Sequence, residues 1–215
     1  MALLLTLTRC AWLGFGSAIL TMGALRDRKL ILVLLIATVI GYPIAPQPLK
    51  ERIRKSIWGP HYQTDIERLY LWEAGLKMIR DYPIAGVGET GVGLLYPKYK
   101  DPRSTHKPGH LHSNFIHLGA TLGLAGLGAV SWLFVKIFLT ELSIYKSIPE
   151  GQGYLRAVAL GCLAVFVAFN VAGLFEWNFG DAEIVMLLWF TLGLCLAIKK
   201  ISEKMVVESN PCGQA

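Results

Sequence analysis

The sequence predicts an all-α protein, a polytopic transmembrane helical bundle of about five spans with one long external loop that carries an amphipathic helix. Three observations lead there. Of 215 residues, 53% are hydrophobic and only 17% are charged, with a mean hydropathy of +0.47, whereas a soluble domain is nearer a quarter charged. The apolar residues gather into runs close to the roughly 20 residues that cross a hydrocarbon core about 30 Å thick. The basic residues collect in the short connections between those runs, as they do on the cytoplasmic side of membrane proteins.

The first run, 2–25, is interrupted by Thr6, Thr8 and Arg9, and the second, 30–46, closes on Pro43 and Pro46, which end a helix well. The third, fourth and fifth cover 115–139, 157–175 and 184–198; the last is short and is expected to borrow residues 179–183 or to tilt little. Residues 1–215 thus read as a single membrane domain in which 47–111 is the external loop. Within that loop 66–80 reads as an amphipathic helix, with Leu69, Trp72, Leu76 and Ile79 at helical spacing and Glu73–Lys77 as an exposed i, i+4 pair. Asp81-Tyr82-Pro83 stops it, because the residue before a proline is pushed out of the helical region.

Arg26, Arg28 and Lys29 join the first two runs, Lys146 and Arg156 the third and fourth, and Lys199, Lys200 and Lys204 follow the fifth. The positive-inside rule places these ends in the cytoplasm and the 47–111 loop outside, since long loops cross largely regardless of their charge. The N-terminus is then also outside, which suggests a preceding half of the protein.

The net charge of +6 belongs to membrane surfaces on this pattern, and no nucleic acid is expected as a partner. Cys10, Cys162 and Cys195 lie in apolar runs and Cys212 in the tail, so neither a disulfide framework nor a metal knuckle is indicated. The first run lacks a basic leader and carries Arg9 in its middle, unlike a secretory signal.

Arg9 is the first candidate for chemistry. An arginine in a span costs about 3 kcal/mol or more at the helix centre; here it either snorkels to the headgroups or faces a cavity and holds an anion. Gly86-Val87-Gly88-Glu89-Thr90-Gly91 has dinucleotide-binding spacing, but no strand precedes it, so a tight turn or a close backbone approach is the better reading. His106, His110, His112, Asn114 and His117 crowd the mouth of the third span. A metal site is disfavoured because the nearest acids are distant in sequence. A neutral histidine acting as general base on a hydroxyl suits the membrane boundary better. Gly119 and Gly123 form a small-xxx-small seam for helix packing. Glu176, Asn178, Asp181 and Glu183 share one short external turn, where an acid could orient a base or pair with an arginine.

The stretch His110-Leu111-His112-Ser113-Asn114-Phe115-Ile116-His117, followed by Leu122-Gly123-Leu124-Ala125-Gly126, resembles the signature of the O-antigen ligase/polymerase family. Arg68 with Trp72, the run Asp81-Tyr82-Pro83-Ile84-Ala85-Gly86-Val87-Gly88, and Thr8-Arg9 resemble that family's arginine helix, its Asp-x-Pro-x-x-Gly-x-Gly turn and its Ser-Arg element. Ser113, His117 and Thr121 depart from residues common there.

The resemblance implies a multi-pass glycosyltransferase of the bacterial inner membrane with its site facing the periplasm. Such an enzyme moves a glycan from a polyprenyl-diphosphate carrier to a hydroxyl acceptor: lipid A core, a growing glycan or a protein. Carried over, His112 is the catalytic base or orienter, and Arg68 and Arg9 bind the diphosphate and stabilise its departure. His110, Asn114, His117, Gly86 and Gly88 are substrate-binding, and neither a metal nor another cofactor is required. Members of the family usually have more spans than this chain, which corresponds to their C-terminal half, so a partner supplying the other half or a homodimer is expected. The alternative is a non-catalytic membrane component, a truncated remnant or an assembly subunit. A small-solute transporter fits less well, because the polar residues concentrate at one face rather than at the midplane.

Overall fold

A computed structural model describes residues 8–58, 63–105 and 109–209. Among these the regular structure is helical: α1 Arg9–Leu25, α2 Lys29–Ile44, α3 Gln47–Trp58, α4 Gln63–Asp81, α5 Glu89–Tyr99, α6 Asn114–Ser147, α7 Gly153–Ala172, a 3₁₀ turn Asn178–Gly180, and α8 Ala182–Ser209. Three helices, α6, α7 and α8, are long and apolar enough to cross a membrane, while α1 and α2, of 17 and 16 residues, are apolar but shorter. Part of the first apolar run lies outside the described residues.

Helices α1, α6, α7 and α8 form the bundle. α1 approaches α7 closely at Gly14, where an added Cβ would stand 3.1 Å from the Ala168 carbonyl oxygen. One end of the bundle is closed by Tyr145, Ile148, Leu160 and Ile198, with the Tyr145 hydroxyl donating to the Leu25 carbonyl at 3.0 Å. This end also gathers Arg26, Glu150 and Arg156 around a polar cavity of about 240 Å³. The middle is packed by Phe134, Ile137, Phe166, Phe169 and Leu188, with Phe179 stacked on Phe134. At the opposite end α4 and α5 pack on the start of α6 through Leu71, Met78, Val92, Tyr96, Leu111 and Ala120. α2 buries no residue of its own.

Several elements differ from expectation. The 47–111 region holds three helices rather than one. α3 went unread although Leu49, Ile53 and Ile57 recur at i, i+4, i+8 among Lys50, Arg52, Arg54 and Lys55, the pattern of a basic amphipathic helix. In α4 the buried face is Glu67, Leu71, Ala74 and Met78, whereas Leu69 and Leu76 are more than half exposed. Trp72 and Ile79 of the expected stripe are partly covered and Leu69 and Leu76 are not, because α4 is apolar on more than one side and its neighbours decide which side is covered. The Glu73–Lys77 pair does form, at 2.8 Å on the surface; replacing Lys77 by alanine is expected to shift stability by no more than about 0.5 kcal/mol. α8 continues through the basic tail to Ser209, with Lys199–Glu203 and Lys204–Glu208 pairs, rather than ending near 198.

The largest difference is in α6. Its 34 residues would reach about 51 Å as one helix, but Gly123 (φ 68°, ψ −176°) breaks it. The part after the break, 124–147, is about 36 Å long, close to one hydrocarbon core. The part before it, 114–122, carries buried Asn114, His117 and Thr121 and packs against α4. The break frees two carbonyls and an amide that the 83–88 turn takes up: Val87 N–H donates to Ala120 O at 2.8 Å, Gly88 N–H to Thr121 O at 2.9 Å, and Leu124 N–H to Pro83 O at 2.7 Å. Of the expected helix seam, Gly119 does face α4, at Ile79, but Gly123 meets the Ile84 backbone instead.

Glu67, 8% exposed, ties the 101–105 loop to α4 by accepting from the Ser104 hydroxyl at 2.6 Å and from the Thr105 amide at 3.1 Å. Glu67→Ala would strand these donors and should cost about 1–3 kcal/mol, read as a lower thermal midpoint and faster proteolysis of the loop. Asp81 accepts from the Tyr99 hydroxyl at 2.8 Å, which joins the end of α4 to the end of α5. That bond lowers the Asp81 carboxyl and pushes the Tyr99 phenol up to about 12.

Candidate active site

The sequence-predicted residues converge at the end of the bundle opposite the basic turns. Arg9 opens α1, Arg68 lies on α4, His110 and His112 lie just before α6, and the segment joining α7 to the 3₁₀ turn supplies Glu176. Glu176 is the junction. Its Oε1 lies 2.7 Å from His112 Nδ1 and 3.6 Å from His110 Nε2, while Oε2 accepts from Arg68 Nη2 at 3.2 Å. With its Nδ1 proton directed to Glu176, His112 keeps Nε2 as an acceptor. The two imidazoles meet edge to face, with centroids 4.4 Å apart.

Burial by itself would raise the Glu176 carboxyl, but hydrogen bonds from His110 and His112 overcome it and hold the group well below its ordinary value of 4.5. A carboxylate depressed in the folded state contributes stability above its unfolded pKa and loses it as pH falls toward the folded value. The thermal midpoint should therefore drop as pH falls below about 4.5, and Glu176→Gln should remove part of that drop.

His112 has φ of 47°, the one described non-glycine residue in the left-handed region. Such strain persists only where the surroundings over-determine it. Here the Trp72 indole N–H donates to the His112 carbonyl at 3.3 Å, and Glu176 holds the ring.

Arg9 pairs with Asp65 across a groove of about 320 Å³ lined by Arg9, Cys10, Leu13, Asp65, Arg68, Leu69, Trp72 and Phe175. Arg9 is among the residues that line this groove. Arg9 and Arg68 are each about a quarter exposed, so the groove offers two accessible guanidinium groups beside an apolar wall.

The remaining predicted residues sit around this centre rather than in it. Asn114 is fully buried; its Oδ1 accepts from the Asn178 backbone N–H at 2.8 Å, and its backbone N–H donates to Gly173 O at 2.7 Å. It thereby fixes the segment that carries Glu176. An added Cβ at Gly173 would stand 2.2 Å from Asn114 Nδ2, so Gly173→Ala should lower the thermal midpoint and displace Glu176. His117 is fully buried beneath Trp177, with centroids 4.0 Å apart, and its Nε2 lies 3.3 Å from Glu89 Oε1. Gly86 permits a close approach to α6, where an added Cβ would stand 2.5 Å from Thr121 and Gly123 backbone, and its amide bonds Tyr82 O; Gly88, with φ of 77°, turns its amide to Thr121 O. These contacts hold the start of α6, which follows His110 and His112 in the chain. His106 lies outside the described residues.

His110, His112 and Glu176 each offer a donor atom within 4.8 Å of the others, a spacing that could hold a divalent cation. Acids distant in sequence are not distant in space here, since Glu176 folds back over 64 residues to meet the histidines. Arg68 on the same carboxylate offsets the negative charge that would attract a cation there.

The family model described as O-antigen ligase matches residues 1–131, more than half of the sequence. The chain belongs to the O-antigen ligase family. No curated protein matches the sequence. Membership makes this a membrane protein of a ligase family that serves polysaccharide assembly. The matched region contains Arg9, Arg68 and His112, but Glu176 falls beyond it and joins the site only through the fold. Sequence reasoning had set Glu176 beside Asp181 and Glu183, both of which are exposed, with no ground for choosing among them. Asp65 was missed; its position one helical turn before Arg68 was the available signal.

Proposed function

We propose that the chain catalyses transfer of a glycan from a polyprenyl-diphosphate carrier to a hydroxyl acceptor at the outer face of the bacterial inner membrane. The observation that carries this reading is the line Arg68–Glu176–His112 beside the groove that holds Arg9. An apolar wall suits the polyprenyl chain, and two guanidinium groups suit a diphosphate, which arginine binds through paired hydrogen bonds.

The acceptor hydroxyl gives its proton to His112 Nε2 as its oxygen attacks the anomeric carbon. Glu176 keeps Nδ1 protonated and stabilises the imidazolium that forms. The bond from the anomeric carbon to the carrier's phosphate oxygen breaks, and Arg9 and Arg68 stabilise the charge that develops on the departing diphosphate. His110, against the His112 ring, helps to set its orientation.

The reading is tested by native mass spectrometry of the purified chain with a polyprenyl-diphosphate glycan, beside Arg68→Ala. Binding by wild type that is lost or weakened about tenfold or more in the variant is expected, as for removal of one charged partner. A folded wild type that binds no such lipid would overturn the proposal.

A further inference from the structure

We infer that Asp65 is a specificity residue: its carboxylate occupies Arg9 in the empty groove and so reserves the site for lipids carrying two phosphates against the single-phosphate lipids around it. The inference rests on the reading above and adds the means by which the groove selects its ligand.

Asp65 and Arg9 come from opposite walls of the groove, 56 residues apart in the chain. Asp65 precedes Arg68 by one helical turn, so both face the same space, and all three residues line it with Leu13, Leu69, Trp72 and Phe175. Two guanidinium groups beside an apolar wall suit the headgroup and tail of any anionic lipid. Phospholipid headgroups outnumber a carrier lipid in a bilayer, so attraction alone would fill the site with the wrong occupant. Specificity is a difference of affinities, and it needs an element that penalises the competitor.

Asp65 supplies that penalty. A single phosphate that takes Arg9 must first break the Arg9–Asp65 pair and then sit beside the displaced carboxylate, exchanging one anion for another with little net gain. A diphosphate brings a second anionic group that reaches Arg68 as well and compensates the exchange. The other acid at the site cannot play this part. Glu176 is held on its Oε1 side by His110 and His112 and stays in place to serve the base. The two acids on the two arginines therefore differ in role: Glu176 remains when ligand binds and Asp65 is displaced.

The test uses the full chain in nanodiscs of phosphatidylethanolamine and phosphatidylglycerol, with polyprenyl diphosphate and polyprenyl monophosphate competing and bound lipid read by native mass spectrometry. In Asp65→Asn the preference for diphosphate should fall about fivefold or more, the equivalent of one ion pair of about 1 kcal/mol. The change should come mainly from tighter monophosphate binding and be accompanied by more co-purified phosphatidylglycerol. Asp65→Glu should keep the preference, and Asp65→Ser replaces the asparagine variant if that one fails to fold.

An unchanged ratio in a folded variant overturns the inference while leaving the proposed function standing. Loss of both lipids together also overturns it, since Asp65 would then only join the groove walls. A wild type that binds neither lipid overturns the proposed function and this inference with it.

Discussion

Replacing His112 by alanine is expected to lower glycan transfer by about a hundredfold to ten-thousandfold, the range for a positioned general base, with donor binding nearly unchanged. The separation of the two readouts follows from the geometry. His112 addresses Glu176 through Nδ1 at 2.7 Å, whereas the groove that takes the diphosphate is lined by Arg9 and Arg68 and not by His112. Glu176→Gln should reduce turnover about tenfold or more, in kcat more than in KM, because the uncharged amide no longer stabilises the imidazolium. Glu183→Gln, an exposed acid at the start of α8, should leave transfer unaffected. Single-turnover transfer with purified lipid-linked donor, together with equilibrium donor binding, checks all three. Full transfer by His112→Ala would show that the left-handed histidine is architectural and would remove the general-base step.

Gly123→Ala should cost about 3 kcal/mol or more of stability and abolish donor binding and transfer together. With φ 68° and ψ −176°, Gly123 occupies a backbone region open essentially to glycine alone. An added Cβ there would also stand 2.2 Å from the Ile84 carbonyl oxygen, a backbone atom that cannot swing aside. Relief would require either straightening α6 or lifting the 83–88 turn away from it. Both would remove the Val87, Gly88 and Leu124 backbone bonds that fix the start of α6 beside α4. Gly86→Ala should behave alike, since its Cβ would meet Thr121 and Gly123 backbone at 2.5 Å. Gly128→Ala is the control: nothing lies within 4 Å of its Cβ position, and alanine favours the helix by about 0.5–1 kcal/mol. Thermal unfolding in one detergent compares the variants, and an unshifted Gly123→Ala midpoint would mean that the break is not required for the fold.

These two sites differ in how far the sequence announced them. His112 was readable from the run His110 to His117 and from its likeness to a family signature. Gly123 was readable only as a small residue of a presumed helix seam. The seam reading assumed a continuous helix, and nothing local contradicts it: 115–139 is mostly apolar, and glycine is common where helices pack. The break exists because the 83–88 turn, 40 residues earlier, presents amides and a carbonyl that outcompete the helix's own bonds at that point. The buried face of α4 was misjudged for a related reason. An apolar residue at helical spacing marks a face that can be covered, and α5 and α6 decided that it would be Leu71 and Met78 rather than Leu69 and Leu76.

The sequence by itself determined the all-helical membrane architecture and the turn at Asp81–Gly88, and it singled out the two arginines and His112 as candidates. Each is encoded in a run of neighbouring residues, where hydropathy, proline stereochemistry and residue type act over a few positions. The tertiary structure alone decided that Glu176 of four candidate polar residues meets His112 and Arg68, that Asp65 closes on Arg9, and that the Gly86 and Gly88 amides bond Tyr82 O and Thr121 O. Those are pairings over 108, 64 and 56 residues or between a turn and a broken helix. A side chain's partner across such a distance is set by how whole helices pack, so its own surroundings in the chain carry no record of it.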